Sequence, residues 1–425
     1  MLTLSLDLEV LTPLFMGGAD QRAEIRPASF KGALRHWLRA VEEDYPRRES
    51  ELFGDTGRHG QSPVLLSIHA AGNLKRMNWL DNDELRTYNV GRGVQQKNGL
   101  KYLGYTFSLT GNEERNAIAP GCLIRARCRI PNPSRFPDCR RSLRGLFSAW
   151  WLLTHIGGLG SRARRGFGSI GLTRWSLEGD HPNLADFKAD LDALPLAAGS
   201  TSANAFAESM RATLFETLPT WFGAPTSDRD RPAAPLRPDH IGSRTRAVLL
   251  RAPASKSRDW AAALQSIGLA FQRFRASRDP DRQRALAHLL FLNNIPSANG
   301  IQASPLAQTA PERSAFGLPL SFRARKLNGY RLNRTEFTLT PEGVDARKKS
   351  RTRHPAPMWI RVLRIGEQLH PVVTFLDGAL PGQLDGIQVD QGGGRYPLQP
   401  PGDALIHTFL DHLGRVGLAI SGGAR

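Results

Sequence analysis

Leu2, Leu4, Leu6 and Leu8 alternate with polar residues up to the Thr12-Pro13 break, the period-two signature of a strand with one buried face. From Ser29, placed as an N-cap, the period changes: Phe30, Ala33, Leu34, Trp37, Leu38 and Val41 fall on one face of a helix. Strand-like runs follow at 63–70 (PVLLSIHA), 102–110 (YLGYTFSLT) and 122–130 (CLIRARCRI), the last alternating apolar residues with arginine. A second helix spans Ser142 to Ile156, halts at Gly157-Gly158 as a glycine C-cap would halt it, and leads into a further strand. Apart from one additional strand-like run between the helices, the order over residues 1–175 is β-α-β-β-α-β, the ferredoxin-like unit shared by RNA-recognition modules.

Residues 176–240 change character. Stretches such as LPLAAGSTSANA and APTSDRDRPAAPLRPD predict a connector, with one helix (AFAESMRATLFETL) embedded in it. Residues 241–425 resume with helices over 258–275 and 280–292, strands around 318–322, 330–339, 358–365 and 371–376, and a closing helix from Asp403 to Leu413. The fold class expected is therefore α+β, two ferredoxin-like (RRM-like) domains joined by a flexible connector. Lys and Arg outnumber Asp and Glu by 57 to 39, a net charge of +18 spread over both halves, which points to a polyanionic partner. Cys122, Cys128 and Cys139 lack the close pairing of a zinc knuckle or a disulfide framework and read as buried small residues in a reducing compartment. The N-terminal stretch reads as a strand, not a signal peptide, and no run approaches the roughly 20 apolar residues of a membrane helix. A cytoplasmic protein without membrane contact is expected.

Residues 157–168, GGLGSRARRGFG, hold five glycines and three arginines. No Lys-Ser or Lys-Thr follows the glycines and the loop precedes a strand, which excludes a Walker cradle and a dinucleotide fingerprint. Arg162, Arg164 and Arg165 suit an extended phosphate backbone, each guanidinium fork meeting a phosphate, while Phe167 pins the loop to the core or stacks on a base. On the first helix Lys31, Arg35 and Arg39 recur at intervals of four, opposite the apolar face. The preceding turn, FMGGADQRAEIRP, adds Gly17 and Gly18, which let backbone N–H groups approach phosphates, and Arg22 and Arg26. A basic run, KKSRTRH at 348–354, is either a solvated loop or a further backbone contact. The two helices also echo one another, Lys31-Gly32 with Trp37 and Arg144-Gly145 with Trp150.

Signals for catalysis are sparse. His36 lies beyond the basic stripe, away from the apolar arc, and is the histidine best placed for general base work; His155 reads as a capping cation at the end of the second helix. No HExxH occurs, and His407 and His412 stand five apart, wrong for two ligands on one helical face. No metal or cofactor is expected.

The segments TPLFMGG (12–18), IRPASFKGALRHWLRA (25–40), ELFG (51–54) and GLGSRARRGFGS (158–169) together resemble the RAMP superfamily of CRISPR-associated RNA-binding proteins, and more narrowly the first subunits of Cmr, type III-B, effector complexes. AFGLPLSF (315–322) and RHPAPMWIRVLRI…HPVVTFLDG (353–378) match more loosely. The chain departs from the family's Ala-Ser-Pro-Leu-like stretch by having His354-Pro355-Ala356-Pro357. The resemblance implies two ferredoxin-like domains and a non-catalytic subunit that caps the effector at the end distal to the 5′ tag of the guide. There it would hold the 3′ region of guide RNA, its duplex with target RNA, or both, beside other Cmr-type subunits. The alternative is a metal-independent endoribonuclease processing guide RNA, with His36 as base.

Overall fold

A computed structural model of the chain describes residues 1–422 except 19–21, 58, 80–97, 109–115, 224–238, 254–258, 278–279, 299, 306–308, 319, 324–325, 328–329, 332–335, 343–353, 381–382, 384–385 and 392–393. The N-terminal half is built on β1 (Leu2–Val10), α1 (Pro27–Arg39), α2 (Tyr45–Phe53), β2 (Leu65–Ala70), α3 (Gly99–Leu103), β3 (Leu123–Ile130), α4 (Cys139–His155) and β4 (Ile170–Gly179). The four strands form one antiparallel sheet in the order β2-β3-β1-β4. The alternation of β1 and β3 explains the sheet's two faces. Leu2, Leu4, Leu6 and Leu8, with Ile124, Ala126, Cys128 and Ile130, are buried in a core shared with α1 and α4, which supply Phe30, Leu34, Trp37, Leu146, Trp150 and Leu153. The other face of the sheet is open to solvent, and along β3 it is lined by Arg125, Arg127 and Arg129.

Both helix starts differ from expectation. Helix α1 begins at Pro27, whose fixed φ and missing N–H suit the first turn, so Ser29 lies inside the helix and not at its cap. Helix α4 begins three residues earlier than read, because the Asp138 side chain accepts from Arg141 N–H. The glycine echo is asymmetric: a Cβ on Gly145 would stand 2.8 Å from Leu38 Cδ1 where α4 packs on α1, whereas Gly32 faces open space.

The strand expected over 102–110 is helical wherever it is described, as α3 and a 3₁₀ turn over Tyr105–Ser108. Leu100, Leu103 and Phe107 have helical spacing, and their burial against the C-terminal half overrides the β-propensity of the aromatics. A Cβ on Gly99 would stand 2.3 Å from Leu269 N, so only glycine permits this approach of α3 to a later helix.

The connector is also more ordered than its composition suggests. Strand β4 runs to Gly179, and α5 (Leu184–Asp192) and α6 (Ala203–Ala212) follow, the latter extended by a π-helical turn and a short helix to Phe222. Phe187, Leu191, Phe206, Met210 and Leu214 bury these helices in the first core; only 224–238 of this region lie outside the described residues.

Beyond the connector come β5 (Arg246–Leu250), α7 (Trp260–Ser277), α8 (Pro280–Leu292), β6 (Leu320–Arg323), β7 (Glu336–Pro341), β8 (Met358–Ile365), β9 (Gln368–Phe375), β10 (Ile387–Gln391), β11 (Gly394–Leu398), α9 (Ala404–Gly414) and β12 (Gly417–Ser421). Strands β5, β8, β9 and β12 form a second antiparallel sheet in the order β8-β9-β5-β12. Ranked by sequence, this is the order second-third-first-fourth, the same as in the first sheet. A third sheet, β6-β7-β10-β11, is interleaved with the second along the chain and has its own small core around Phe322, Phe337, Leu339 and Val389.

The two halves do not have separate cores. Trp359, Leu363, Val372 and Leu376 belong to the N-terminal cluster, while Phe15, Trp79, Phe107 and Phe167 pack with Ile360 and Phe271. No helix among the described residues is long and apolar enough to cross a membrane.

Candidate nucleic-acid interface

Helix α1 turns Phe30, Leu34, Trp37 and Leu38 inward and leaves Lys31, Arg35 and Arg39 on its outer side, as the spacing dictates. The stripe is partly neutralised. Glu49 on α2, nearly buried, accepts from Arg35 Nη1 at 2.7 Å and from Arg39 Nη2 at 2.8 Å, with a further bond from Arg39 Nε. Burial alone would raise the Glu49 pKa, but the hydrogen bonds from Arg39 and Arg35 hold it below the usual carboxylate range. Arg35 also donates to the carbonyls of Phe53 and Gly54, closing the C-terminus of α2. Lys31 makes no ion pair among the described residues, and its pKa is lowered by partial burial and by Arg35. Arg26 donates to Gly17 O at 3.0 Å and pairs with Glu24 at 3.2 Å, bracing the turn that holds Gly17 and Gly18; residues 19–21 of this turn lie outside the described residues.

The glycine-rich loop departs most from expectation. Arg162, at φ 62°, donates from Nε to Leu103 O at 2.9 Å and again to the same carbonyl from Nη2. Arg164 donates to Ala356 O at 2.7 Å, pairs with Asp239 at 2.5 Å and stacks over the Trp359 ring at 4.3 Å. Arg165 donates to Phe316 O at 2.8 Å and lies over Phe271, while burial and then the neighbouring arginines push its pKa down to about 9. Two of the three arginines therefore reach across to the C-terminal half, and the third ties the loop to α3. They join the halves, and their guanidinium groups are taken up by carbonyls and rings of the chain instead of standing free for a phosphate backbone. The backbone does the same: Arg164 O accepts from Ile360 N–H at 3.2 Å. Phe167 is fully buried among Phe15, Trp79 and Phe107, so it pins the loop and is not offered to a base. Of the basic run 348–354, only His354 lies within the described residues.

The loop and α1 also meet directly. A Cβ on Gly157 would stand 2.4 Å from Trp37 Nε1, and Trp37 packs on Trp359 with ring centroids 5.1 Å apart. His36 sits in this contact against Trp37 and Trp359, its Nε2 buried without a hydrogen bond. Burial and then the Arg164 charge push its pKa down to about 4. Its Nε2 is therefore turned into the contact, and the half-buried ring is a weak base. His155 is likewise no capping cation: fully buried, it accepts Ala197 N–H at Nε2 and meets Trp151 O at Nδ1. Burial and the Arg361 charge push its pKa down to about 3.

The cation that caps α4 comes from the other half of the chain. Arg361, 1% exposed, donates to Leu153 O, Gly157 O and Ile170 O at 3.0–3.2 Å, and burial pushes its pKa down to about 9. A near-continuous apolar strand run that admits arginine, as in MWIRVLRI, is the one sequence signal that marks it. Among the described residues, no cluster of His, Cys, Asp or Glu could hold a metal ion.

His155, buried, and His36, half-buried with its Nε2 enclosed, give the fold an acid limit. Unfolded histidine titrates near 6.5, roughly, whereas both groups stay neutral in the folded chain well below that. Their contribution is intact above pH 6.5 and is lost as pH falls toward 4, with a slope of up to about 1.4 kcal/mol per pH unit for each. Urea midpoints are expected to drop steadily between pH 6.5 and 5; a flat profile would contradict both assignments.

A family model of the RAMP superfamily matches residues 7–171. The chain is 31% identical over 183 residues to the CRISPR system Cmr subunit Cmr1-2 of Pyrococcus furiosus, a match covering 39% of this chain and 91% of that protein. It is 30% identical, also over 183 residues, to subunit Cmr1-1 of the same organism, covering 40% of this chain and 45% of that protein. The fold matches the crystal structure of apo Cmr1 from P. furiosus with a TM-score of 0.54 at 15% identity over 100% of both chains. It also matches a chain in a cryo-EM structure of the type III-B Cmr-beta complex bound to cognate target RNA and AMPPnP in the presence of ssDNA, with a TM-score of 0.54 at 12% identity over 97% of this chain and 99% of that one.

Proposed function

Since the chain belongs to the RAMP superfamily and, within it, to the Cmr1 subunits of CRISPR Cmr complexes, we propose that it is a non-catalytic RNA-binding subunit of a type III-B RNA-guided effector. In this reading it caps the assembly at the end distal to the 5′ tag of the guide, beside other Cmr-type subunits in the cytoplasm. It holds the 3′ region of guide RNA, its duplex with target RNA, or both. The repeated order of the two main sheets supports reading them as two ferredoxin-like units, one ending with β4 at Gly179, just past the expected boundary at 175, and one within 241–425.

The observation that carries the proposal is the outer side of α1. Lys31 lacks an ion pair among the described residues, and Arg35 and Arg39 share the single carboxylate of Glu49, so a net positive stripe remains beside the turn of Gly17, Gly18 and Arg26. Such a stripe meets phosphates and leaves base sequence unread. Arg162, Arg164 and Arg165 serve this surface by holding the loop in place.

Salt titration of guide-RNA affinity separates the two roles. A Lys31→Ala/Arg35→Ala/Arg39→Ala variant is expected to lower the slope of log K against log[salt] by about 2, at roughly 0.7 per single-strand phosphate contact. An Arg162→Ala/Arg164→Ala/Arg165→Ala variant is expected to lose thermal stability first, with its slope unchanged wherever it stays folded. Absence of RNA binding by the wild-type chain, alone and in its complex, would remove the proposal. So would site-specific cleavage of repeat RNA in EDTA that disappears in His36→Ala.

A further inference from the structure

The arginine alternation of β3 takes no part in the surface above, because α1 and α4 cover the opposite side of the sheet. On the open face Arg125, Arg127 and Arg129 stand in one row, all exposed. Their cross-strand neighbours are Asp7, Ser5 and Thr3 on β1, and His69, Ser67 and Leu65 on β2. Asp7 is shared between Arg125 at 3.5 Å and Arg174 at 3.6 Å, both well exposed. The side chains of Arg127 and Arg129 make no ion pair or hydrogen bond among the described residues.

Three like charges in one row on a single sheet face repel one another in the free protein. Asp7 offsets the Arg125 end of the row, whereas Arg127 and Arg129 stand opposite Ser5 and Thr3, so this part of the face keeps a net positive charge. Every second residue of a strand advances by about 6.8 Å, so the row presents guanidinium forks in a line, each shaped for phosphate oxygens, as successive phosphates of a nucleic-acid backbone require. The row's neighbours on β1 and β2 include no tryptophan, tyrosine or phenylalanine, and the one ring beside it is His69, opposite Arg125. Nor is the face suited to a subunit interface. Its exposed large apolar side chains, Leu65 and Leu123, sit at opposite ends and make no continuous apolar centre.

We infer that the open face of the first sheet is a second RNA track, in which Arg125, Arg127 and Arg129 hold the phosphate backbone of an RNA strand running along β3, independently of sequence. This rests on the RNA-binding reading above and adds a surface on the opposite side of the same sheet.

The test uses the full-length chain, fluorescently labelled single-stranded RNA and an RNA duplex of the same length, and a salt titration of each. Arg125→Ala/Arg127→Ala/Arg129→Ala is expected to lower the salt slope by about 2 on the RNA form that occupies the track, at roughly 0.7 per contact for a single strand. At moderate salt its affinity is expected to fall tenfold or more. The corresponding triple lysine variant should keep the wild-type slope, and the alanine variant should melt no lower than wild type, since repulsion is relieved. Equal slopes for wild type and alanine variant on both RNAs would overturn the track while leaving the proposed function standing. Loss of co-purification with neighbouring subunits at unchanged RNA slope would assign the face to a protein and overturn it as well. If the wild type binds neither RNA, the proposed function fails and the track with it.

Discussion

Arg361→Met is expected to destabilise the chain by about 3 kcal/mol, because it strips the donor from three buried carbonyls at about 1–3 kcal/mol each and regains only part of that by removing a buried charge. Leu153 O and Gly157 O lie at the end of α4, and Ile170 O lies at the first residue of β4. The loss therefore falls on the two elements that flank the glycine-rich loop. Urea denaturation at pH 7 measures it, and a change under about 0.5 kcal/mol, the size of an ordinary surface substitution, would show that these bonds do not support the junction. A second readout comes from His155, whose pKa is lowered in part by the Arg361 charge. In the variant this value moves back toward 6.5, so less stability is lost between pH 6.5 and 4 than in wild type.

Gly168→Ala is expected to be of comparable size. Gly168 has φ +64°, and a Cβ there would lie 1.9 Å from the carbonyl oxygen of Leu159, a backbone atom held by its neighbours. The left-handed conformation alone costs alanine about 1 kcal/mol, and the overlap forces the loop out of its seat, for a total of at least about 2 kcal/mol. Gly158→Ala, without a positive φ and with its nearest atom at 3.2 Å, should cost clearly less. Denaturant midpoints rank the two, and limited trypsin digestion reports whether the bonds of Arg162, Arg164 and Arg165 become accessible in Gly168→Ala. Equal stability of the two variants would show that the loop's path does not depend on glycine at 168.

Local periodicity made much of the first half legible. β1, α1 and β3 each carry a period of two or 3.6, and burial follows that period; α4, apolar over most of its length, is buried all round from Gly145 to His155. Where the pattern was short or mixed, tertiary contacts decided. The 102–110 stretch has aromatics suited to a strand, but its Leu100, Leu103 and Phe107 spacing is helical and its partner helix α7 lies more than 150 residues downstream. The third sheet is made of strands of four to six residues, too short to register against turn-rich surroundings.

The candidate site was legible as composition and not as geometry. Three arginines in a glycine-rich loop look the same in sequence whether they meet phosphates or the carbonyls of Leu103, Ala356 and Phe316, because those acceptors are 59 to 192 residues away. Likewise nothing near α1 announces that Glu49 will take up both Arg35 and Arg39. The β3 arginines are the opposite case: their alternation was visible at once, and only the sheet order reveals that their face is left uncovered.

The interlocking of the two halves also bears on how the chain is made. A ribosome releases the glycine-rich loop and the end of α4 long before it has synthesised Ala356, Ile360 and Arg361, which accept or donate their hydrogen bonds. The nascent N-terminal half thus spends nearly 200 residues of elongation with those groups solvated and its loop unseated. Its final packing is deferred until the last quarter of the polypeptide emerges. Separating the halves into two polypeptides would turn a contact formed within one chain into a bimolecular encounter, with its success set by the concentrations of the two pieces.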